Sequence, residues 1–257
     1  AIAAVLGLPL LALVLWLMRS AGSLWWLWAW GAWAAFNLGV LLIYPAVIAP
    51  VFNRFEPLQD AALRARVEAL LARCGFASKG LFVMDGSRRS AHGNAYFTGF
   101  GRSKRIVFFD TLLSRLDADE IEAVLAHELG HFHHRHVPRR IALMLAASLA
   151  GLWLLGWLSG QGWFYQGLGV TPAAGEFEAA ALVLFLLVLP VFGFPLRPLV
   201  SRALRQHEFQ ADAYAATHAR PESLVSALVK LYEDNASTLT PDRLHSAFYD
   251  SHPPASL

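Results

Sequence analysis

The sequence predicts a multi-pass α-helical membrane protein that carries a soluble α+β part. Three observations predict it. Four apolar segments, 1–18, 21–53, 141–175 and 179–196, contain no Asp, Glu, Lys or Arg. Basic residues collect in the stretches that flank them. The remainder alternates amphipathic patterns with short β-rich runs. A chain that is 56% hydrophobic and 16% charged is too apolar for an ordinary soluble domain.

Each apolar segment approaches or exceeds the ~20 residues that a helix needs to cross a bilayer, so about four spans are expected. The fourth contains Pro190 and Pro195, which could break it. The first lacks a charged start and has Pro9 in its middle, so it reads as a span rather than a signal peptide, with its beginning outside this chain. Arg54, Arg64 and Arg66 follow the second span, Arg135, Arg139 and Arg140 precede the third, and Arg197, Arg202 and Arg205 follow the fourth. The connection 159–178 has no basic residue. The positive-inside rule therefore places both soluble stretches on the cytoplasmic side, with an even number of spans between them. The expected organisation is two spans in 1–52, a soluble part in 53–140, two spans in 141–200 and a helical soluble part in 201–257. A net charge of +2 gives no reason to expect a nucleic-acid partner, and the single cysteine, Cys74, permits no internal disulfide.

The soluble elements follow in order. A helical pattern begins at Pro57 and stops near Gly75. "GLFVMD", "NAYFTGF" and "KRIVFFD" read as strands of a small sheet. Asp117 and Glu120 form a capping-box pattern, and the helix they start should run to Pro138. On that helix His127 and His131 are four residues apart and share a face, with Glu128 beside them. This is HExxH, in which two imidazoles bind zinc and the glutamate serves as general base. Unpaired burial of such groups is costly, and a metal supplies the reason for it. His133, His134 and His136 read as a solvated, partly basic helix end rather than a second metal site.

A catalytic zinc takes three protein ligands. After the fourth apolar segment, Glu208 and Asp212 lie four apart on one helical face, as a ligand and a partner for a ligand imidazole would. His207 is the rival ligand, and a plain surface charge is the bland reading of Glu208.

HExxH, the later "EFQAD", the run "GNAYFTGFGRSKRIVFFDTLL", the closing "HPP" and "YPAVIAPVFNRFEPL" together resemble the M48 metallopeptidases, in particular their integral-membrane CAAX prenyl protease 1 branch. The resemblance implies a zincin-like domain with one zinc held by His127, His131 and Glu208, Glu128 as proton carrier and Asp212 orienting a ligand histidine. It also implies substrate binding at Asn94 and Ala95 and oxyanion stabilisation by His252. A turn residue is the competing reading of Asn94, and a plain loop residue that of His252. The implied activity is zinc endopeptidase action near the C-terminus of prenylated proteins, at the cytoplasmic face of a bacterial inner membrane or of the endoplasmic reticulum. The implied partners are a protein or peptide substrate and the lipid bilayer. A membrane-protein quality-control peptidase is the alternative within the superfamily, and a non-enzymatic zinc-binding membrane protein or metal transporter the alternative outside it. A transporter would place charged residues inside its spans, and the four segments have none.

Overall fold

The computed structural model describes residues 2–90, 93–98, 104–173, 177–234, 240–250 and 252–253. In chain order the elements are α1 (Ile2–Ser20), α2 (Trp25–Ile43), α3 (Ala49–Phe52), β1 (Phe55–Pro57), α4 (Ala61–Arg73), β2 (Leu81–Met84), β3 (Ala95–Thr98), β4 (Arg105–Phe109), α5 (Asp110–Arg115) and α6 (Ala118–His133). Then follow α7 (His136–Leu158), α8 (Gly162–Gly167), α9 (Phe177–Gly193), α10 (Arg197–His218), α11 (Pro221–Asp234) and α12 (Arg243–Tyr249). They form two units, residues 1–41 with 138–196 and residues 42–137 with 197–257.

The first unit is helical. Three helical runs are long and apolar enough to cross a membrane, Gly22–Phe52, His136–Leu158 and Phe177–His218, and Ala4–Ser20 is a shorter apolar helix. The apolar part of the third run is α9, since α10 carries Arg197, Arg202, Arg205 and Glu208. Three of the four expected spans are therefore long enough to cross, in α2, α7 and α9, while α1 is the shorter apolar helix. Met18, Trp25, Ala29, Leu155, Phe164 and Phe185 form a modest interior. Trp16, Leu143, Leu187 and Phe192 stand exposed, as side chains facing lipid do. Trp30 keeps its indole N–H satisfied by donating to the Leu145 carbonyl at 3.0 Å. Pro190 lies within α9 without ending it, and Pro195 falls in a single 3₁₀ turn that leads into α10. The segment 141–175 is longer than its span. α7 ends at Leu158 and the chain turns into α8.

The second unit is α+β. Its sheet has the order β1-β2-β4-β3. β2 and β4 are parallel, while β1 and β3 pair antiparallel with their neighbours. Val67, Leu70, Ile106, Phe108, Leu112, Leu125 and Leu129 fill the core between the sheet and α4 and α6. The three expected strands are present, although Gly99 and Phe100 of the second run lie outside the described residues. β1 was not anticipated, and it corrects one helix start. Pro57 ends β1, and α4 begins at Ala61 because the Asp60 side chain accepts the free Ala62 and Leu63 amides at 2.9 and 3.0 Å. Gly75, at φ +63°, supplies the left-handed residue after that helix.

The Asp117–Glu120 capping box is formed, with Asp117 Oδ1 accepting from the Asp119 and Glu120 amides, each at 2.9 Å. The helix does not reach Pro138. α6 stops at His133, Arg135 adopts a left-handed φ of +56°, and a new helix starts at His136. Pro138 therefore sits in a first helical turn, where its missing N–H costs no hydrogen bond.

Candidate metal centre

α6 and α10 approach closely because Gly130 has no side chain. A Cβ there would lie 2.8 Å from the Ala211 Cα and 3.0 Å from its carbonyl oxygen. The glycine adjoins His131 and the alanine adjoins Asp212, so the point of closest approach is also where the polar side chains of the two helices meet.

They meet as a triangle. His127 Nε2 and His131 Nε2 are 3.1 Å apart, and Glu208 Oε2 lies 3.4 Å from the first and 3.5 Å from the second. A tetrahedral zinc with ligand bonds of about 2.0–2.1 Å requires ligand atoms roughly 3.3 Å from one another. The spacing thus fits a first-row divalent cation, and two imidazoles with one carboxylate are a donor set such a cation takes. Among the described residues this is the group of His, Cys, Asp or Glu side chains that could hold a metal ion. His207 is not in it. Its ring stacks on that of His136 at 4.2 Å.

The outer nitrogens of both imidazoles are engaged. His127 Nδ1 lies 2.7 Å from Asp212 Oδ1. His131 Nδ1 lies 2.9 Å from His136 Nδ1, and His136 Nε2 lies 2.9 Å from Gln210 Oε1. The expectation of a solvated helix end is therefore corrected for His136, which is fully buried, while His133 and Arg135 are exposed. Sequence reasoning missed His136 and Gln210. The missing signal was the backbone break at Arg135, without which His136 would point elsewhere.

The electrostatics call for positive charge. Burial opposes protonation of His127, yet Asp212 and Glu208 outweigh it and push its pKa up to about 10. Burial would raise the Glu208 carboxyl, but His127, His131 and His252 hold it well below the usual carboxylate range. Burial pushes the Glu128 carboxyl up, against the pull of His127 and His131.

His252 arrives from the C-terminal segment, with Nδ1 2.9 Å from Glu208 Oε2. The residues after Pro253 lie outside the described part. Asn94 is exposed and immediately precedes β3, and its carbonyl accepts from the Phe109 amide at 2.9 Å. The Ala95 side chain is buried. β3 is an edge of the sheet and is tied to α6 by Phe97 and Phe132, whose rings are 4.8 Å apart.

Comparison with known proteins places this geometry in context. Residues 57–257 match the family described as peptidase family M48. Residues 1–54 match the family described as CAAX prenyl protease N-terminal, five membrane helices. The chain is 38% identical to a CAAX prenyl protease 1 homolog of Arabidopsis thaliana over 97% of its own length and 58% of that protein's. It is 37% identical to the CAAX prenyl protease 1 of Saccharomyces cerevisiae, over 83% of this chain and 50% of that one. It superposes on the crystal structure of S. mikatae Ste24p with a TM-score of 0.89 at 33% identity, covering 99% of this chain and 62% of the other. The chain thus spans little more than half the length of these curated relatives.

Proposed function

The chain belongs to peptidase family M48, and from that premise we propose that it is an integral-membrane zinc endopeptidase of the CAAX prenyl protease 1 type. The observation that carries the proposal is the triangle of His127, His131 and Glu208, with Glu128 next in sequence to the first ligand. A metallopeptidase family implies a metal, and the spacing and donor set favour zinc. Zinc, when bound by these three side chains, supplies a Lewis acid that polarises a carbonyl and makes water a stronger acid.

The chain's own residues do the rest. Glu128 takes a proton from the attacking water and returns it to the leaving amine, a role that suits a carboxyl raised by burial. Asp212 accepts the Nδ1 proton of His127 and so keeps Nε2 bare toward the metal. His252 stands beside Glu208, where it can donate to the oxyanion that develops on the substrate carbonyl. An extended peptide adds to the edge strand β3, with Asn94 and Ala95 at its entrance. The basic residues flanking the spans support a cytoplasmic side for these groups.

The proposed substrate is a protein bearing an isoprenoid near its C-terminus. Each buried CH₂ of a lipid contributes about 0.8 kcal/mol, so burying only about two such carbons corresponds to about tenfold in affinity. Binding of a farnesylated peptide and its bare twin to the Glu128→Gln protein tests this. The farnesylated peptide should bind at least about tenfold more tightly. Equal affinities would overturn lipid recognition and favour a quality-control peptidase.

A further inference from the structure

The two ligand imidazoles are supported differently. His127 rests on a carboxylate, Asp212. His131 rests on another imidazole, and that imidazole rests on a side-chain amide. We propose that His136 and Gln210 are positioning residues for the metal centre, which order the protons so that His131 keeps Nε2 bare for the metal. The inference builds on the metal-site reading above.

Proton bookkeeping carries it. Gln210 Oε1 can only accept, so His136 Nε2 must donate across their 2.9 Å contact. A neutral His136 that donates from Nε2 has a bare Nδ1. The 2.9 Å contact between the two Nδ1 atoms holds one proton, and that proton must then belong to His131. His131 Nε2 is left with a free lone pair, aimed into the triangle with His127 and Glu208. Rotating the Gln210 amide would reverse every step and put a proton on His131 Nε2, where a metal cannot bind. Because His136 is fully buried, water does not readily substitute for it.

The backbone is built to make this contact. In an unbroken helix His136 would lie five residues beyond His131, about 140° around the axis and roughly 7.5 Å along it. Instead α6 closes with the His134 amide on the Gly130 carbonyl at 3.0 Å and the Arg135 amide on the Phe132 carbonyl at 3.1 Å. Arg135 then turns left-handed, a conformation that disfavours a residue with a Cβ. The turn carries the His136 ring back to His131, and the His207 ring stacked at 4.2 Å and 15° fixes its plane. α10 therefore serves both ligand histidines, through Asp212 directly and through Gln210 by way of His136.

The test is zinc affinity of the full chain, measured by chelator competition without substrate, together with thermal unfolding of the zinc-free protein. Gln210→Leu and His136→Leu should each weaken zinc about 10- to 100-fold. Gln210→Glu, which can only accept, should hold affinity within about threefold of the wild type or tighten it. His136→Asn, whose amide oxygen can accept from His131 Nδ1, should recover most of what His136→Leu loses. A purely packing role predicts lowered unfolding temperatures with unchanged zinc affinity. Wild-type affinity in Gln210→Leu, or equal losses in Gln210→Leu and Gln210→Glu, would overturn the proposal. The Gln210 pair lies at an exposed position, so it decides the matter even if His136→Leu fails to fold. A wild-type chain that binds zinc but cleaves no peptide would overturn the peptidase reading and leave this inference standing.

Discussion

Replacing Gly130 by alanine should damage the metal site without touching any ligand. The added Cβ would lie 2.8 Å from the Ala211 Cα, 3.0 Å from the Ala211 carbonyl oxygen and 3.1 Å from the Tyr214 Cβ. Carbon atoms prefer about 3.5–4.0 Å, so α6 and α10 must part by roughly 1 Å, because the obstacle is backbone and cannot swing away. The proposed ligand triangle spans both helices, with His127 and His131 on one and Glu208 on the other. Metal–ligand distances tolerate only about 0.2 Å, so the displacement opens the site beyond what a zinc shell accepts. Zinc affinity should fall at least about tenfold, or 1.4 kcal/mol. The fold should suffer less, since overpacking costs about 1–3 kcal/mol while Gly→Ala in a helix returns about 1 kcal/mol. The assay is chelator competition on the full chain, with zinc-free unfolding measured alongside. Gly151→Ala is the control, because a Cβ there meets nothing within 4 Å. Wild-type zinc affinity in Gly130→Ala would refute the reasoning that helix spacing sets the site.

Two further outcomes are expected. In a Cys74→Ser background, single cysteines at Ser87 and Ser237 should label from the same, cytoplasmic side and one at Ser159 from the opposite side; labelling of Ser87 and Ser237 from different sides would rule out a site shared by both soluble stretches. Glu120 should make stability acid-sensitive: burial would raise its carboxyl, but Lys230, Ser226 and the Asp117 amide outweigh that and lower it. Its contribution is then complete above the ordinary glutamate range of about 4.3 and is lost as pH falls through the lowered folded-state value. Acid unfolding curves should show this loss in the wild type and lack it in Glu120→Gln.

What could be read from the sequence was local. The Asp117–Glu120 box and the left-handed Gly75 are decided within a few residues, and the chain folds there as the pattern says. Strands β2, β3 and β4 were legible because β-rich runs were bounded by Gly, Ser and Arg. The HExxH spacing puts two imidazoles on one helix face, and the four-residue interval from Glu208 to Asp212 puts two carboxylates on one face of another. Non-local features stayed hidden. β1 is three residues long and exists only by pairing with β2, so nothing in "FEP" announces it. Pro57 resembled a helix start because proline favours first turns, but the Asp60 side chain offered a better cap. His136 looked solvent-facing because the pattern assumed a continuous helix, and one left-handed residue reverses that assignment. Gln210 lies inside the quoted "EFQAD", yet its partner is 74 residues away.

The central claim is that His127, His131 and Glu208 hold one zinc and that Glu128 moves the proton. It is tested most directly by measuring zinc content and peptide hydrolysis together in wild type and Glu128→Gln. The account predicts one zinc per chain in both and a loss of hydrolysis of about 10²–10⁴-fold in Glu128→Gln. A Glu128→Gln protein that keeps its zinc and hydrolyses peptide at the wild-type rate would contradict it.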